Sequence, residues 1–567
     1  MNTTKFVNCF LSSRRKNIFK YKSQAEELQG KVLRNLVRQA LHTEWGQKHG
    51  FNQVKDYDSF AKTSPVNTYE ELKGYIDRMR HGEKDVLWKG QVKWYAKSSG
   101  TTNDKSKFIP VSRDFLKDTH YQGGTDAVAL YLLNNPQSRM FNGKALILGG
   151  SHAPNYNLPH SLVGDLSAIL IENASPFVNH YRVPPKDIAL LSDFEEKREK
   201  IARTAIRENV TSLSGVPSWM LSVLTCALDI SGKQYLEEIW PELEVFFHGG
   251  VAFTPYREQY RQLIAKHGMH YMETYNASEG FFGLQSDLTD KAMLLMIDYG
   301  VFYEFIPMSE LGKENPTIVP LWGVETGKNY AVVISTSAGL WRYMIGDTVK
   351  FTQKSPYKFI ITGRTKFFIN AFGEELIVDN AENGLDTACK ATGAQIKEYT
   401  AAPVYMDNRG NAATNGSSNS RRCRTRSTTS PTFSTADCRK STRTTRPSAT
   451  RTSPLQHLEV VNARKGLFAD WLKSKGKLGG QHKIPRLCNS RTYIDEMLAM
   501  NNAATADDYC STQPPESGSK KHDMPQTSHS CRQISQYFWS FQSTVSSLWL
   551  FHLPDGSFIR SPFSSRS

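Results

Sequence analysis

The stretch LEVFFHGG at residues 243–250 is a mostly apolar run that ends in two glycines. Three further runs have the same character of a buried strand: KALILGG at 144–150, YAVVIST at 330–336 and KFIITGR at 358–364. Longer charged stretches with helical spacing lie around them, as in EEKREKIARTAIRENV at 195–210 and PYREQYRQLIAKHG at 255–268. This alternation of buried strands and surface helices predicts an α/β fold with mixed sheets.

Three other stretches indicate helices. AEELQGKVLRNLVRQALHTEWGQKHG at 25–50 has apolar residues every three to four positions, as an amphipathic helix does. The same spacing over 463–473 predicts a helix late in the chain. The charge-dense face from Glu195 to Arg207 is expected to be solvated.

Length and composition exclude several classes of protein. The chain has 567 residues, 39% of them hydrophobic and 11% aromatic, which allows two to four domains with sizeable cores. It contains no apolar run of membrane-spanning length and no secretory signal pattern at its beginning. Its eight cysteines form no CxxC pair, so we expect reduced thiols and a cytoplasmic location.

About half of the net charge of +15 lies in one segment. Residues 412–454 hold eight arginines and one lysine against a single acid, and Phe433 is the one large apolar side chain. A basic arm for nucleic acid and a disordered linker are two interpretations of this segment.

A third interpretation is a reading-frame error between two compensating insertions or deletions. With permitted codons, CRKSTRTTRPSAT at 438–450 can be written so that a shift of one base gives LQEINSDYEAKRY. The same shift turns TNGSSN at 414–419 into HQWLIE. Both shifted peptides have the polar and apolar mixture of ordinary secondary structure, so our hypothesis is that 412–454 is read out of frame.

A hydroxyl-rich loop follows the strand-like start of WYAKSSGTTNDKSKFIP, residues 94–110. Small residues bare backbone N–H groups and add hydroxyl donors, which suits the oxygens of a polyphosphate, and Lys105 and Lys107 add positive charge. The Walker A pattern is absent, and a flexible turn is the structural alternative. The candidate phosphate-binding residues of the loop are Ser98, Ser99, Gly100, Thr101 and Thr102.

The second motif is HYMETYNASEGFFG at 270–283, which predicts a strand running into a polar turn. The carboxylate of Glu279 in that turn can hold Mg²⁺ bridged to phosphates, and Tyr275 can stack on a base. In the structural alternative, Ser278 and Glu279 merely cap the turn.

The third motif is GLWRYMIGDTVKF at 339–351, followed by ITGRTKFF at 361–368. We expect Asp347 in a turn between two strands, where its carboxylate can accept both hydroxyls of a ribose. Arg364, expected in a Gly-Arg turn, can donate to phosphate as a fork. A hairpin turn beside a surface arginine is the structural alternative.

The order and spacing of these motifs resemble those of adenylate-forming enzymes. The forms SSGTT, YNASEG and RYMIGD, with GGQHKIPR at 479–486, are similar to the Gretchen Hagen (auxin-responsive promoter) family of acyl acid–amido synthetases. FFHGG at 246–250 fits the glycine strand that flanks adenine in such enzymes. The resemblance covers about residues 1–411 and 455–501, and loop lengths unlike those of the plant members indicate a bacterial relative.

The resemblance implies activation of a carboxylic acid by Mg·ATP to an acyl-adenylate, followed by amide formation with an amino acid. The expected cofactors are therefore ATP and Mg²⁺, and the expected partners are a small carboxylic acid and an amino acid, without nucleic acid or membrane. It also implies a large N-terminal domain at 1–365 and a smaller α+β domain at 366–501, hinged near Thr365 or Lys366. We expect residues 502–567 to form an irregular or read-through tail.

The same resemblance assigns roles to individual residues. Glu279 is the expected metal ligand, and Lys483 and Arg364 are the expected catalytic cations. Lys107 and the hydroxyl-rich loop are expected to bind the phosphates. The residues expected to bind the rest of the nucleotide are Gly249, Gly250, Tyr275, Asn276 and Asp347. The acyl pocket is expected to include Val216, Pro217 and Trp219, for which core packing is the alternative.

Three other functions stay open from the sequence. An acyl- or aryl-CoA synthetase shares the adenylation motifs, although GGQHKIPR favours amide synthesis. A catalytically impaired member is possible because segment 412–454 interrupts the small domain. The non-enzymatic alternative is nucleic-acid binding through 412–454, which salt-dependent DNA retention tests.

Overall fold

The computed structural model describes most of the chain, with gaps in the loop regions and towards the end. The described residues are 4, 7, 11–98, 106–251, 253, 256–264, 268–365, 368–371, 374–392, 396, 398–403, 459–475, 484–488, 491–510 and 547–552.

Helices occupy the first hundred residues and then alternate with strands. The α-helices of the described residues are Ser12–Phe19, Ala25–Ala40, Glu44–Lys48, Tyr57–Thr63, Tyr69–Arg80, Arg113–Phe115, Gln122–Asn134, Leu166–Glu172, Pro176–Tyr181, Lys186–Ala189, Phe194–Ala205, Pro217–Ser231, Arg257–Leu263, Val378–Thr392, Leu467–Ser474 and Thr492–Cys510. None of these helices is both long enough and apolar enough to pass through a lipid bilayer.

The strands of the described residues fall into four sheets. They are β1 Trp94–Ser98, β2 Lys107–Val111, β3 Lys144–Ile147, β4 Leu162–Gly164, β5 Arg182–Val183, β6 Val210–Gly215, β7 Val245–Gly249, β8 His270–Ala277, β9 Gly280–Gln285, β10 Met293–Leu295, β11 Val301–Pro307, β12 Val319–Pro320, β13 Asn329–Thr336, β14 Tyr343–Lys354, β15 Tyr357–Arg364, β16 Phe368–Ala371, β17 Glu374–Ile377, β18 Glu398–Pro403, β19 Glu459–Asn462 and β20 Ser547–His552.

The main sheet has 12 strands in the order β12-β11-β13-β14-β15-β10-β9-β8-β7-β6-β3-β5. Strands β5, β3, β6, β7 and β8 are parallel, and from β9 onward the pairing is antiparallel. Helices Phe194–Ala205 and Pro217–Ser231 bury their apolar faces on the parallel half. The polar turn that carries Glu279 lies where the sheet changes from parallel to antiparallel, between β8 and β9. Parallel strands of a sheet place their carboxyl ends at one edge, where ligands commonly bind.

The amphipathic stretch at 25–50 forms two helices rather than one. Helix Ala25–Ala40 ends at Ala40, and a new helix begins at Glu44 because the Thr43 hydroxyl accepts a hydrogen bond from the Gly46 N–H at 3.1 Å. The helix expected over 463–473 is Leu467–Ser474, which follows Gly466 in the left-handed region with φ +81°. In both places a local cap, rather than apolar spacing, sets the boundary.

The charge-dense helix Phe194–Ala205 is not solvated at every charge. Lys197 is 5% exposed and donates from Nζ to the carbonyl oxygens of Gly149 at 2.7 Å and Gly150 at 2.9 Å. Burial lowers the pKa of Lys197 to about 8. The prediction of a wholly solvated face is therefore wrong at Lys197, which bonds the carbonyls of the KALILGG stretch.

The small domain contains the β16–β17 hairpin, helix Val378–Thr392 and the three-stranded sheet β18-β20-β19. Leu467, Trp471 and Met497 form part of its apolar core. The Tyr256 hydroxyl donates to Glu398 Oε1 at 3.0 Å, which joins the small domain to the large one. Strand β20 comes from the tail that we expected to be irregular, so at Ser547–His552 that expectation is wrong.

Candidate active site

A cavity of about 2000 Å³ opens at the carboxyl ends of β6, β7 and β8. Val216 follows β6 and Trp219 lies one turn later in helix Pro217–Ser231, and both line the cavity. Pro217 is buried at the start of that helix, where its carbonyl oxygen accepts a hydrogen bond from the Tyr260 hydroxyl at 2.8 Å. The other predicted site residues that line the cavity are Ser98, Gly249, Gly250, Tyr275, Asn276, Glu279, Asp347 and Arg364.

Asp347 joins the second motif to the third. Its Oδ2 accepts a hydrogen bond from the Tyr275 hydroxyl at 2.7 Å, and its Oδ1 lies 2.8 Å from Arg364 Nε. The Asp347 carboxylate raises the pKa of the Arg364 guanidinium. The pKa of Tyr275 is also raised, by burial and by the same carboxylate. The three side chains therefore form one connected group at the cavity wall.

Asp347 and Arg364 lie in strands and not in the turns that we expected. Asp347 belongs to β14 and Arg364 to β15, and the two residues are paired in the antiparallel register of these strands. A register shift between Thr348 and Val349 lets the pairing continue past Gly346, which has φ +89°. The expectation of two turns is wrong because Gly346 lies at a bulge within a strand and not in a hairpin turn.

Glu279 occupies the turn between β8 and β9, as the motif predicted. Its side chain is mostly buried, with 8% of the residue exposed, and burial raises the pKa of its carboxyl. The positive charges of Lys107 and Arg364 act against that rise, whereas the Asp347 carboxylate adds to it. Glu279 is thus a desolvated carboxyl whose ionised form two cations favour.

Lys107 begins β2 and pairs in register with Ser98 at the end of β1. Its ammonium lies 3.3 Å from the Tyr343 hydroxyl oxygen and 5.6 Å from the centre of the Tyr69 ring. The rest of the hydroxyl-rich loop lies outside the described residues, including the candidates Ser99, Gly100, Thr101 and Thr102. The charge of Lys107, at the described end of this loop, opposes the rise in the pKa of the Glu279 carboxyl.

The glycine pair at the end of β7 brings two strands close together. A Cβ at Gly249 would lie 2.3 Å from the Thr274 carbonyl oxygen of β8, so a larger residue does not fit there. Gly250 adopts φ +83°, which favours glycine. Asn276 lies near this approach, with Oδ1 3.1 Å from the same Cβ position. The strand therefore presents backbone rather than side chains to the cavity.

Lys483 and the GGQH that precedes it lie outside the described residues, whereas the last three residues of the motif are described. Ile484, Pro485 and Arg486 line the cavity. The Thr400 hydroxyl donates to the Pro485 carbonyl at 2.7 Å, and the Ala401 N–H donates to the Arg486 carbonyl at 2.9 Å. Residues 484–486 therefore run along β18 and border the cavity.

Sequence reasoning missed the buried ion pair that anchors the third motif. Arg342 Nη2 lies 2.8 Å from Glu304 Oε1, and the two residues are 4% and 0% exposed. Arg342 also donates to the carbonyl oxygens of Ala61 and Ser64 at 2.9 and 2.6 Å. The signal was present, since Glu304 interrupts the apolar strand VFYEFIP, and an acid inside such a strand needs a buried partner.

A magnesium ion fits this site only with help from a substrate. Within the described part of the chain, no group of three or more His, Cys, Asp or Glu side chains is arranged to hold a metal. Glu279 is a buried carboxylate, and Asp347 is already bonded to Tyr275 and Arg364. Mg²⁺ is commonly held by one or two carboxylates together with substrate phosphates, and Glu279 suits that arrangement.

Comparison with solved structures confirms the mixed α/β fold. The structure of AtGH3.15 acyl acid amido synthetase in complex with 2,4-DB matches with a TM-score of 0.65 and 16% identity, covering 86% of this chain and 95% of that one. A second structure of GH3.15 acyl acid amido synthetase matches with a TM-score of 0.56 and 19% identity, covering 71% and 79%.

Curated relatives carry the same kind of name. Indole-3-acetic acid-amido synthetase GH3.3 of Arabidopsis thaliana is 23% identical over 443 residues, 66% of this chain and 73% of that protein. Jasmonoyl-L-amino acid synthetase JAR4 of Nicotiana attenuata is 24% identical over 394 residues, 58% of this chain and 66% of that protein. The bacterial origin that loop lengths indicated stays a prediction.

Three family profiles match successive parts of the chain. The GH3 family N-terminal domain matches residues 14–269, the central domain 294–364 and the C-terminal domain 444–492. The central match ends at Arg364, the last residue of β15, and the C-terminal match begins inside segment 412–454. The family predicted from the motifs is confirmed: the chain belongs to the GH3 family.

Proposed function

We propose that this protein is an ATP-dependent acyl acid–amido synthetase. In the first step a carboxylate oxygen attacks the α-phosphorus of ATP, and the bond to the β-phosphate breaks to release pyrophosphate. In the second step an amino acid nitrogen attacks the acyl carbon, loses a proton and displaces AMP. The amido synthetase names of the curated relatives support amide formation as the second step.

The observation that carries the proposal is the connected group at the cavity wall. Tyr275, Asp347 and Arg364 come from three strands and are joined by bonds of 2.7 and 2.8 Å beside the buried Glu279. Negative charge builds on the α-phosphate as the acid attacks, and fixed cations in a desolvated site stabilise that charge. Arg364 and Lys107 are suited to supply the positive charge that stabilises the α-phosphate.

We assign the remaining roles on the same basis. Asp347 accepts the ribose hydroxyls, and the bare backbone at Gly249 and Gly250 lies against the adenine. Glu279 would hold Mg²⁺, which would supply positive charge against the phosphate oxygens. The hydroxyl-rich loop donates to the phosphates, and Val216 and Trp219 border the acid. A cytoplasmic location is proposed because Cys226, Cys389 and Cys488 form no disulfide among the described residues.

Lys483 is proposed as a cation that enters the site with the small domain. It directly precedes Ile484, which lines the cavity, and the bonds of Pro485 and Arg486 to β18 tie the segment to that domain. A lysine carried in this way neutralises phosphate and carboxylate oxygens during adenylation and leaves when the domain rotates.

The experiment that tests the proposal is pyrophosphate release from the full chain with a panel of carboxylic acids. Each acid is tested alone, with the amino acids and with CoA, and the products are identified by mass spectrometry. We expect acid-dependent release and an amide product with an amino acid. A thioester would instead establish the CoA synthetase alternative, and the absence of release with every acid would contradict adenylation.

A further inference from the structure

The cavity has one wall made by an unusual turn of helix. Leu116–Tyr121 forms a π-helical segment that runs into helix Gln122–Asn134. His120 lies in this segment, is 4% exposed and lines the cavity. Segments of π-helix are rare and are frequent at functional sites. No role for His120 follows from the three motifs.

The His120 ring has polar atoms that no other described residue satisfies. Neither Nδ1 nor Nε2 has a hydrogen-bond partner among the described residues. The Phe115 ring lies edge-on to it, with centroids 4.8 Å apart at an interplanar angle of 88°. Burial lowers the pKa of His120 to about 3, so the imidazole is neutral and offers one donor and one acceptor.

The neighbours of His120 are fixed, so the ring is held at the wall. The Thr119 hydroxyl donates to the Tyr299 carbonyl at 2.6 Å, and the Tyr121 hydroxyl donates to the Leu170 carbonyl at 3.0 Å. A buried polar group without a partner is costly, and native proteins rarely keep one. The ring therefore requires a partner that the cavity can admit.

This wall adjoins the turn that carries Glu279. A Cβ at Gly123 would lie 2.4 Å from Phe281 Cγ, so helix Gln122–Asn134 lies directly on β9, two residues beyond Glu279. Apolar side chains that line the same cavity include Leu166, Leu170 and Phe281. A Cβ at Gly124 would meet nothing within 4 Å, which leaves open space at this wall.

We propose that His120 is a specificity-determining residue that hydrogen-bonds a hydroxyl group on an otherwise apolar acid. The inference rests on the proposed function, because the acid is the substrate of adenylation. A hydroxyl pairs with either ring nitrogen, since it accepts from the N–H or donates to the bare nitrogen. A wholly apolar acid leaves both ring nitrogens unpaired.

Binding of matched acids to the full chain tests the inference without requiring turnover. The pairs are para-hydroxyphenylpropanoate with phenylpropanoate and an omega-hydroxy fatty acid with its unsubstituted parent. Affinity is measured from the rise in melting temperature with acid concentration. We expect the better-fitting pair to show at least about tenfold tighter binding of the hydroxy acid. His120→Leu should abolish that preference while keeping the parent acid, and His120→Asn, which keeps a donor and an acceptor, should retain part of it.

Two results would overturn the inference. Equal affinities within both pairs would mean that a buried water already satisfies the ring, and an unchanged preference in His120→Leu would place the hydroxyl elsewhere. Gly124→Val narrows the same wall, so it should weaken both acids alike, and unchanged binding would also count against this location. ATP–pyrophosphate exchange with the same acids reports on the proposed function separately: exchange without a hydroxyl preference keeps adenylation and removes the role of His120.

Discussion

Asp347 uses two of its acceptor positions on Tyr275 and Arg364, which leaves further lone pairs for a ribose. Asp347→Ala should therefore weaken ATP binding by about 1–3 kcal/mol, because a charged acceptor is lost. Tyr275→Phe is the matched control, since it removes one bond to the carboxylate and keeps the acceptor for ribose. ATP affinity is measured by isothermal titration, and an unchanged value for Asp347→Ala would exclude the ribose role.

Glu279 is a buried carboxyl whose neighbouring charges come from Lys107, Asp347 and Arg364. Glu279→Gln keeps the shape and removes the charge, so we expect pyrophosphate release to fall by about a hundredfold or more through loss of a metal ligand. The melting temperature should not fall, because a neutral amide is easier to bury than a carboxylate. Unchanged release with an unchanged magnesium dependence would show that the metal assignment is wrong.

Glu273 on β8 lines the same cavity, and burial raises its pKa from about 4.5 to about 7, helped by the Glu382 carboxylate. A raised pKa means that the folded protein disfavours the ionised form. Stability should therefore be highest below about pH 4.5 for this group and decline as the pH rises to about 7.

Glu273→Gln should remove that decline and stabilise the protein above pH 7 by roughly 1–3 kcal/mol, discounted for partial exposure. Urea unfolding of the two proteins across this pH range measures the difference. Parallel stability curves would mean that Glu273 ionises normally in the folded chain.

The segment 484–488 is the element that decides how Lys483 is presented. Its bonds to β18 tie it to the small domain, and the Tyr256–Glu398 bond ties that strand to the large domain. Lys483→Ala should slow adenylation and spare the attack of an amine on preformed acyl-adenylate. Lys473→Ala, an exposed lysine on helix Leu467–Ser474, is the control. Rapid-quench assays of both half-reactions check this, and equal losses in the two would rule out a moving lysine.

At the scale of elements, local sequence patterns predicted the strands and the turn, but they did not predict features that depend on tertiary contacts. The apolar runs at 243–250 and 330–336 contain β7 and β13, because a buried strand needs little beyond apolar side chains. The Glu279 turn also followed from its local motif. Asp347 was misplaced because a bulge depends on the partner strand, which residues near Gly346 do not reveal. The roles of Arg342 and His120 were not predicted, because each role follows from the burial of a polar side chain, which the sequence does not show.

At the scale of the whole molecule, segment 412–454 lies outside the described residues, and its out-of-frame origin stays a hypothesis. Ordering such a segment costs about 1–2 kcal/mol per residue, with little beyond Phe433 to bury in return. We therefore expect the chain as written to bind ATP and turn over poorly. Restoring HQWLIE and LQEINSDYEAKRY should protect the small domain in limited proteolysis and raise pyrophosphate release.

A deletion of 412–454 is the control for that restoration, since it removes the basic charge without supplying apolar residues. It also tests the nucleic-acid alternative, because loss of salt-dependent DNA retention in the deletion would assign binding to this segment. If the chain as written is already protease-resistant through residue 500 and fully active, the frame hypothesis is wrong.

The position of β20 between β18 and β19 has a consequence for the order of events during translation. All strands of the 12-stranded sheet come from residues 144–364, so that sheet can be completed while later codons are still being read. The middle strand of the small sheet is synthesised after both of its flanks, since β20 lies at 547–552 and β19 at 459–462. Until β20 is synthesised, the backbone groups of β18 and β19 that pair with it have no strand partner. A ribosome that stalls before residue 547 would thus hold a finished large domain beside a small sheet that lacks its centre.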